Sequence, residues 1–318
     1  MHPMAVGARP LVPSRLAPGG VVHGSTRTPT TLLGGYLALA KLRVVELLLV
    51  TTVPTMILAE RGWPSTWLVI ITLLGGTCAA AGANAINMVV DRDIDALMDR
   101  TRGRPLVTGL ITPRAALVFA VTLEVIAFAI LWWGANLLSA CLTISATLFY
   151  VFVYTIWLKR TSKQNIVIGG AAGAVPVLVG WSAVTNEVSW TAAVLFVLMF
   201  LWTPPHFWAL AIRHVDEYRA AGVPMLPVVV PMEQAIRNMV VYTVLLVVTS
   251  LVLLPVAELG WIYGVTAVVA GAAFLWGTID LGRRPSPQRS MRVFAYSITY
   301  VSVLFAAISA DVLVRFGP

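Results

Sequence analysis

The sequence predicts an all-α protein, a polytopic membrane bundle of about nine transmembrane helices with its N-terminus in the cytoplasm. Three observations predict it. Of 318 residues, 58% are hydrophobic and only 11% are charged, with a mean hydropathy of +0.86. Soluble domains carry about 25% charged and about 45–50% apolar residues. Apolar runs of about 20 residues recur, each long enough as a helix to cross a hydrocarbon core of about 30 Å. Most of these runs also lack the polar face of period 3.6 that a soluble amphipathic helix shows.

The chain opens on residues 1–31, which hold no Asp or Glu and are rich in Pro and Gly. This reads as a disordered basic tail, and Pro3, Pro10, Pro13 and Pro18 oppose the amphipathic helix of a mitochondrial presequence. Residues 32–318 read as one membrane domain. Its spans fall near 34–59, 66–88, 113–133, 137–157, 166–184, 190–212, 236–256, 261–279 and 291–314. Short connections between them suit antiparallel neighbours. Cys78 and Cys141 lie inside apolar runs with no metal-ligand partner at short spacing, so they read as small hydrophobes.

Charge sets the orientation. The tail and the loops after the second, fourth, sixth and eighth spans hold nearly all the Lys and Arg, whereas the alternate loops and the C-terminus hold only Arg61 and Arg315. That asymmetry places the N-terminus inside and the C-terminus outside. It also accounts for the net charge of +8 without nucleic acid. The two longest charged loops follow spans two and six, which suggests a duplicated four-helix unit plus one further helix.

The loop after span two carries the chemistry. Asn87, Asp91 and Asp95 are four residues apart, so on a helix they share one face, and Asp99 extends the series. Like charges at that spacing repel and call for a cation. Mg²⁺ prefers oxygen ligands and binds through one or two carboxylates plus substrate phosphates. Arg100, Arg102 and Arg104 follow at once, and Arg grips phosphate oxygens well. The stripe therefore fits a metal–diphosphate site at the cytoplasmic mouth of the bundle. The competing reading is a solvated loop in which Arg92 and Arg100 neutralise the aspartates.

The loop after span six repeats the theme. Pro204 and Pro205 are expected to kink or break the helix beside His206, and Asp216 and Glu217 supply a second acidic pair on the same side as Asp91 and Asp95. Two such motifs on one face could clamp a diphosphate through metal ions.

With these motifs in place, the chain resembles the intramembrane aromatic (UbiA-type) prenyltransferase superfamily, and within it the protoheme IX farnesyltransferases. Asn87, Asp91 and Asp95 match the superfamily's Asn-x-x-x-Asp-x-x-x-Asp pattern. The subfamily likeness rests on Met98 through Leu106, Tyr154 through Arg160, Asn165 through Gly170, Pro205 through Leu210 and Ala221 through Pro227. Two departures stand out. Lys41-Leu42-Arg43 replaces a usual Lys-Pro-Arg, and Glu217 precedes Tyr218 where the family usually has Asp.

The resemblance implies farnesyl diphosphate and heme B as substrates, Mg²⁺ as cofactor, and a plasma-membrane setting in a bacterium. Heme-copper oxidases, and their assembly factors or other heme-maturation enzymes, would be its customers and partners. Asp91, Asp95, and Asp216 or Glu217, with Asn87 as a neutral ligand, would hold the metal. Arg100, Arg104, Lys159, Arg160 and Lys163 would stabilise the departing diphosphate. Tyr150, Tyr154 and Trp208 could face a carbocation, and His206 could contact heme or diphosphate or be a hydrogen-bonded core residue. Glu124 and Asp311, ionisable at membrane depth, count as functional candidates without an assigned role. Two other readings stay open on the residues alone: prenylation of a quinone precursor, and transport of a divalent cation.

Overall fold

The computed structural model describes residues 28–317, and of residues 42–49 only the helical backbone. The expected basic tail thus lies outside the described residues, apart from Thr28–Thr31 at its end. Thr31 caps the first helix, its Oγ1 accepting from Gly34 N at 3.1 Å.

In chain order the helices are α1 (Leu32–Ala40), α2 (Leu42–Glu60), α3 (Thr66–Val90), α4 (Arg92–Ala96), α5 (Pro113–Gly134) and α6 (Leu137–Leu148). A π-helical stretch, Phe149–Leu158, continues α6 and ends in the short α7 (Lys159–Thr161). Then come α8 (Asn165–Thr185), α9 (Trp190–Arg213), α10 (Val215–Ala220), α11 (Leu226–Val229), α12 (Met232–Val256), α13 (Trp261–Arg283) and α14 (Pro287–Phe316). Local chemistry sets several boundaries. Thr112, Asn136, Ser189 and Ser286 each accept a first-turn amide, with Pro113 and Pro287 seated where no N–H is needed. Arg61 and Asn186 close α2 and α8 in the left-handed conformation.

Among the described residues, eight helices are long and apolar enough to cross a membrane. They match the second to ninth expected spans to within a few residues. The first differs: residues 34–59 form two helices that part at Lys41, which adopts φ 48° and ψ 56°. There the Lys41 ammonium reaches a buried amide, described below, and the chain turns around it. A break in a helix is tolerated where it lines a cavity, and Lys41 lines the cavity described below. The prolines of α9 act otherwise than expected, since the helix runs unbroken from Trp190 to Arg213. Residues 202–206 are all buried, and tight packing in the bundle keeps the prolines helical.

The helices close into a ring. α3 packs along α5, α8 lies between α2 and α9, α12 bridges α9 and α13, and α14 returns against α9 and α2. Close approach depends on small residues: a Cβ on Gly82 would stand 2.7 Å from Glu124 Oε1 and 2.9 Å from the Ala120 carbonyl oxygen. At the end away from the basic loops, Trp63, Trp67, Trp133, Trp190 and Trp261 stand exposed, as tryptophans do at a membrane interface. Asp311 has a structural task there. Its two oxygens accept from Gly260 N at 2.6 Å and Tyr263 N at 3.3 Å, capping α13 from a neighbouring helix. The short helices α4 and α10 follow α3 and α9, at the two places where the long charged loops fall.

Candidate active site

The Asn–Asp–Asp stripe ends α3 and forms α4, and its members are almost fully buried. Burial of charged groups demands partners, and each is held. Asp91 Oδ2 accepts from Asn87 Nδ2 at 2.7 Å and pairs with the Lys159 ammonium. Asp95 pairs with Arg104 at 2.5 Å, and its backbone carbonyl accepts from Thr101 Oγ1 at 2.8 Å. Asn87 Nδ2 also reaches Thr155 Oγ1 at 3.2 Å, while its Oδ1 accepts from Lys41 Nζ at 3.3 Å. One atom is left over: Asp91 Oδ1 is buried and has no hydrogen-bond partner.

The π-helical stretch aims the cation at this carboxylate. In an α-helix, five residues turn the chain so that Lys159 would point about 140° away from Tyr154. Here Lys159 N bonds Tyr154 O, five residues back, and the two side chains come to the same face. Irregular helical turns of this kind are frequent at functional sites. Tyr150 stacks on Tyr154 with ring centroids 5.3 Å apart, and Gly169 of α8 leaves room for the Tyr154 ring.

Below this polar cluster lies a cavity of about 500 Å³, within the range of small-molecule sites. Asn87, Asp95, Arg100, Arg104, Lys159 and Lys41 line its charged end. Its body is walled by α2, α3, α6, α8 and α9, largely with Gly, Ala and Thr. Over the charged end, Arg100 donates to Tyr218 Oη at 2.9 Å and lies 5.4 Å from the ring centroid, so the two charged loops meet.

The other expected site residues fall elsewhere. Arg160 grips Asp93 with two bonds of 2.7 Å and donates to Val90 O, fastening α4 to α7; it approaches Asp91 Oδ1 only to 3.9 Å. The Arg160 guanidinium holds the Asp93 carboxyl down at about 2. Lys163 is exposed and away from the cavity. His206 points the other way, its Nδ1 2.6 Å from Ser297 Oγ and its ring stacked between Trp202 and Phe294. Trp208 packs edge-on against Tyr242 in the core. Asp216 is exposed and paired with Arg219 at 2.6 Å, whereas Glu217 is half-buried, pairs through Oε1 with His214 Nδ1 at 2.8 Å, and keeps a buried, unpartnered Oε2. Glu124 receives the Thr147 hydroxyl at 3.1 Å behind the cavity wall.

Sequence reasoning gave no site role to Lys41, Asn84, Thr155 or Tyr218. The ionisable Lys41 inside an apolar run, with Arg43 two residues on, was the available signal. Asn84 lies one turn before Asn87 on α3 and also lines the cavity, while Thr155 and Tyr218 enter the site through contacts between segments distant in sequence.

Among the described residues, no three His, Cys, Asp or Glu side chains stand together as a metal site. The donor set suits a hard cation nonetheless: Asp91 Oδ1 and Glu217 Oε2 are buried carboxylate oxygens with free lone pairs. A cation that arrives with phosphate needs only one or two carboxylates.

A ring of membrane helices around an apolar cavity, sealed at one end by paired carboxylates and cations, defines a membrane-embedded enzyme for an amphiphile with an anionic head. The chain belongs to the UbiA prenyltransferase family, which matches residues 48–304. It is 48% identical to the protoheme IX farnesyltransferase of Streptomyces coelicolor, over 94% of this chain and 98% of that one. The protein of the same name from Parafrankia sp. is 51% identical, over 97% and 98%. In fold the chain is similar to a solved digeranylgeranylglyceryl phosphate synthase, at TM-score 0.73 and 16% identity over 89% of this chain and 99% of that one. A UbiA homolog from Archaeoglobus fulgidus bound to GPP and Mg²⁺ gives 0.61 and 21%, over 86% and 99%.

Proposed function

We propose that the chain transfers the farnesyl group of farnesyl diphosphate to a vinyl group of heme B, with addition of water, to give heme O. The observation that carries the reading is the charged end of the cavity: Asp95, Lys159, Arg104 and Arg100 line it above an apolar chamber, with buried Asp91 paired to Lys159. Relatives about half identical over nearly the whole chain carry that activity in their names, so the acceptor is heme rather than a quinone precursor. A transporter is disfavoured as well, because the lining cations and carboxylates crowd one end instead of marking a path.

Asp91, Asp95 and Glu217, with Asn87 as a neutral ligand, are the residues that would hold Mg²⁺. Bound there, it supplies Lewis-acid stabilisation of the leaving diphosphate. Glu217 fits this task better than Asp216, which Arg219 already occupies at the surface. Lys159, Arg104, Arg100 and Lys41 bind the diphosphate oxygens and stabilise charge as the C–O bond breaks. Tyr150 and Tyr154 present their ring faces to the allylic cation just below. The Gly, Ala and Thr walls exclude water from that cation until the heme vinyl group attacks. Water then captures the second cation, and its proton leaves with the diphosphate. No protein base is required before attack, because an alkene has no proton to give up. Arg160 acts at one remove, holding α4 in place through Asp93 and Val90.

The basic loops support an orientation with the charged end facing the cytoplasm, in our reading at a bacterial plasma membrane, where the product would supply heme-copper oxidases. Purified protein with farnesyl diphosphate, heme B and Mg²⁺ should yield a heme product heavier by a farnesyl group plus water. Asp91→Ala and Asp95→Ala should abolish it. Absence of product, under conditions in which a Streptomyces coelicolor relative works, would overturn the reading.

A further inference from the structure

The arginines at the basic end of the bundle divide into two sets. Arg102, Arg104, Arg160, Arg219 and Arg289 are each held by a carboxylate. Arg237 of α12, with Arg283 and Arg284 at the end of α13, is exposed, and no carboxylate pairs with any of the three among the described residues. Asp280, one turn before Arg283, is taken by Arg289 at 2.9 Å. Glu233, one turn before Arg237, is exposed and forms no ion pair with it.

The three cations meet at one seam. A Cβ on Gly282 would stand 3.3 Å from Ile236 Cγ2, so Arg283 and Arg237, the next residue on each helix, flank the same contact. The turn that carries Arg284 is fixed. Pro285 and Pro287 restrict it, Ser286 Oγ accepts from Arg289 N at 3.2 Å, and Arg289 Nη1 donates to Arg284 O at 3.2 Å. Guanidinium groups presented on a rigid turn lose little freedom when an anion binds, and their geometry suits phosphate oxygens.

Below the arginines the seam is apolar. It continues where Val247 meets Gly271 and Leu254 meets Gly264. Exposed Val244 and Leu251 follow Arg237 at intervals of seven residues, on the same face of α12. On α13, exposed Ile279, Ala272 and Val268 lead back from Arg283 at intervals of four and seven. From Arg237 to Leu251 the rise is about 21 Å, more than the hydrocarbon depth of one leaflet, about 15 Å. Three cations above two apolar lines match a molecule with an anionic head and long chains.

We propose that the seam between α12 and α13 binds an anionic phospholipid of the membrane, its phosphate held by Arg237, Arg283 and Arg284 and an acyl chain laid along the two helices. Basic pockets between membrane helices bind anionic headgroups in this way. The site lies outside the central cavity and is independent of the prenyl transfer proposed above.

The test titrates the purified full chain in detergent with phosphatidylglycerol, phosphatidylcholine or glycerol phosphate, read by thermal unfolding and by native mass spectrometry. Phosphatidylglycerol at about a hundred times its Kd should raise the melting temperature by about 4 °C and remain as a bound adduct. Phosphatidylcholine has the chains without the net charge, and glycerol phosphate has the charge without the chains, so neither should do this. Arg237→Gln, Arg283→Gln and Arg284→Gln together should weaken phosphatidylglycerol binding about a hundredfold, leaving a shift under about 1 °C at the same lipid concentration. Arg114→Gln removes an exposed charge of α5 at the same end and should leave the shift intact. An equal shift with phosphatidylcholine or with glycerol phosphate overturns the inference. Unchanged affinity in the triple variant also overturns it, as does an equal loss in Arg114→Gln, which would mean diffuse attraction to net charge.

Discussion

Lys159→Met tests the electrostatics of the site before any substrate is added. Asp91 is 0% exposed, and among the described residues Lys159 is its nearest cationic partner. Removing one member of a buried pair leaves an uncompensated charge and costs about 3–5 kcal/mol. The lower figure applies here, because Lys159 keeps 14% of its side chain exposed and Arg160 stands 3.9 Å from the other carboxylate oxygen. For a chain of this size about 3 kcal/mol lowers the melting temperature by about 4–5 °C. Adding Asp91→Asn removes the stranded charge, and an amide there can still accept from Asn87, so the double variant should regain most of the loss while staying inactive. Thermal unfolding in detergent, followed by tryptophan fluorescence, reads all three proteins. A single variant melting within about 1 °C of the parent, or a double variant no better than the single, refutes the pairing argument.

Asp311→Ala removes both caps of α13 and should cost about 1–2 kcal/mol in thermal stability. Turnover at low temperature should survive, because the residue lies at the end of the bundle away from the cavity mouth. Gly82→Ala drives a methyl group against Glu124 and the Ala120 backbone, and should destabilise by about 1–3 kcal/mol. Glu124→Ala should relieve part of that loss in the same melting assay. The Asp93 carboxyl, lowered to about 2 by Arg160, contributes what it does above its unfolded value of about 3.9 and loses it as pH falls toward 2. The Asp93–Arg160 link therefore stays constant across pH 5–9, and Asp93→Asn should leave the shape of the pH–turnover curve in that window unchanged; a displaced limb would contradict this.

Eight spans were legible because each is a run of apolar residues between turn formers and cations, a pattern that tertiary packing rarely overrides in a membrane. Residues 34–59 misled because hydropathy does not register a backbone that turns at Lys41 to bring an ammonium group to Asn87. The first acidic stripe was legible from spacing alone. The second was not, since Asp216 and Glu217 are neighbours in sequence yet meet different partners, one an exposed arginine and one a half-buried histidine. His206 and Trp208 carry the residue types of a ligand site, but helical phase turns them toward α14 and α12, and Thr203 and Phe207 face the cavity instead.

The mouth of the cavity is built for exchange of partners. Lys159, Arg104, Lys41 and Arg100 line it with Asp95, and they still outnumber the carboxylates when buried Asp91 behind Lys159 is counted, so the mouth is net positive before an anion enters. Each carboxylate is neutralised by a cation from another segment: Asp91 by the end of the π-helical stretch, Asp95 by the loop beyond α4. These pairings keep buried charges satisfied in the absence of substrate, and a diphosphate would compete for the same cations. If Lys159 and Arg104 turned toward phosphate oxygens, the carboxylates would lose their counter-charges and would be free to ligate a divalent ion. Substrate and metal affinity are then coupled by charge alone. That coupling predicts weak Mg²⁺ binding by the protein alone and clear strengthening by a non-hydrolysable prenyl diphosphate analogue. Equal Mg²⁺ affinity with and without the analogue, measured by calorimetry, would show that the carboxylates are free for metal from the start.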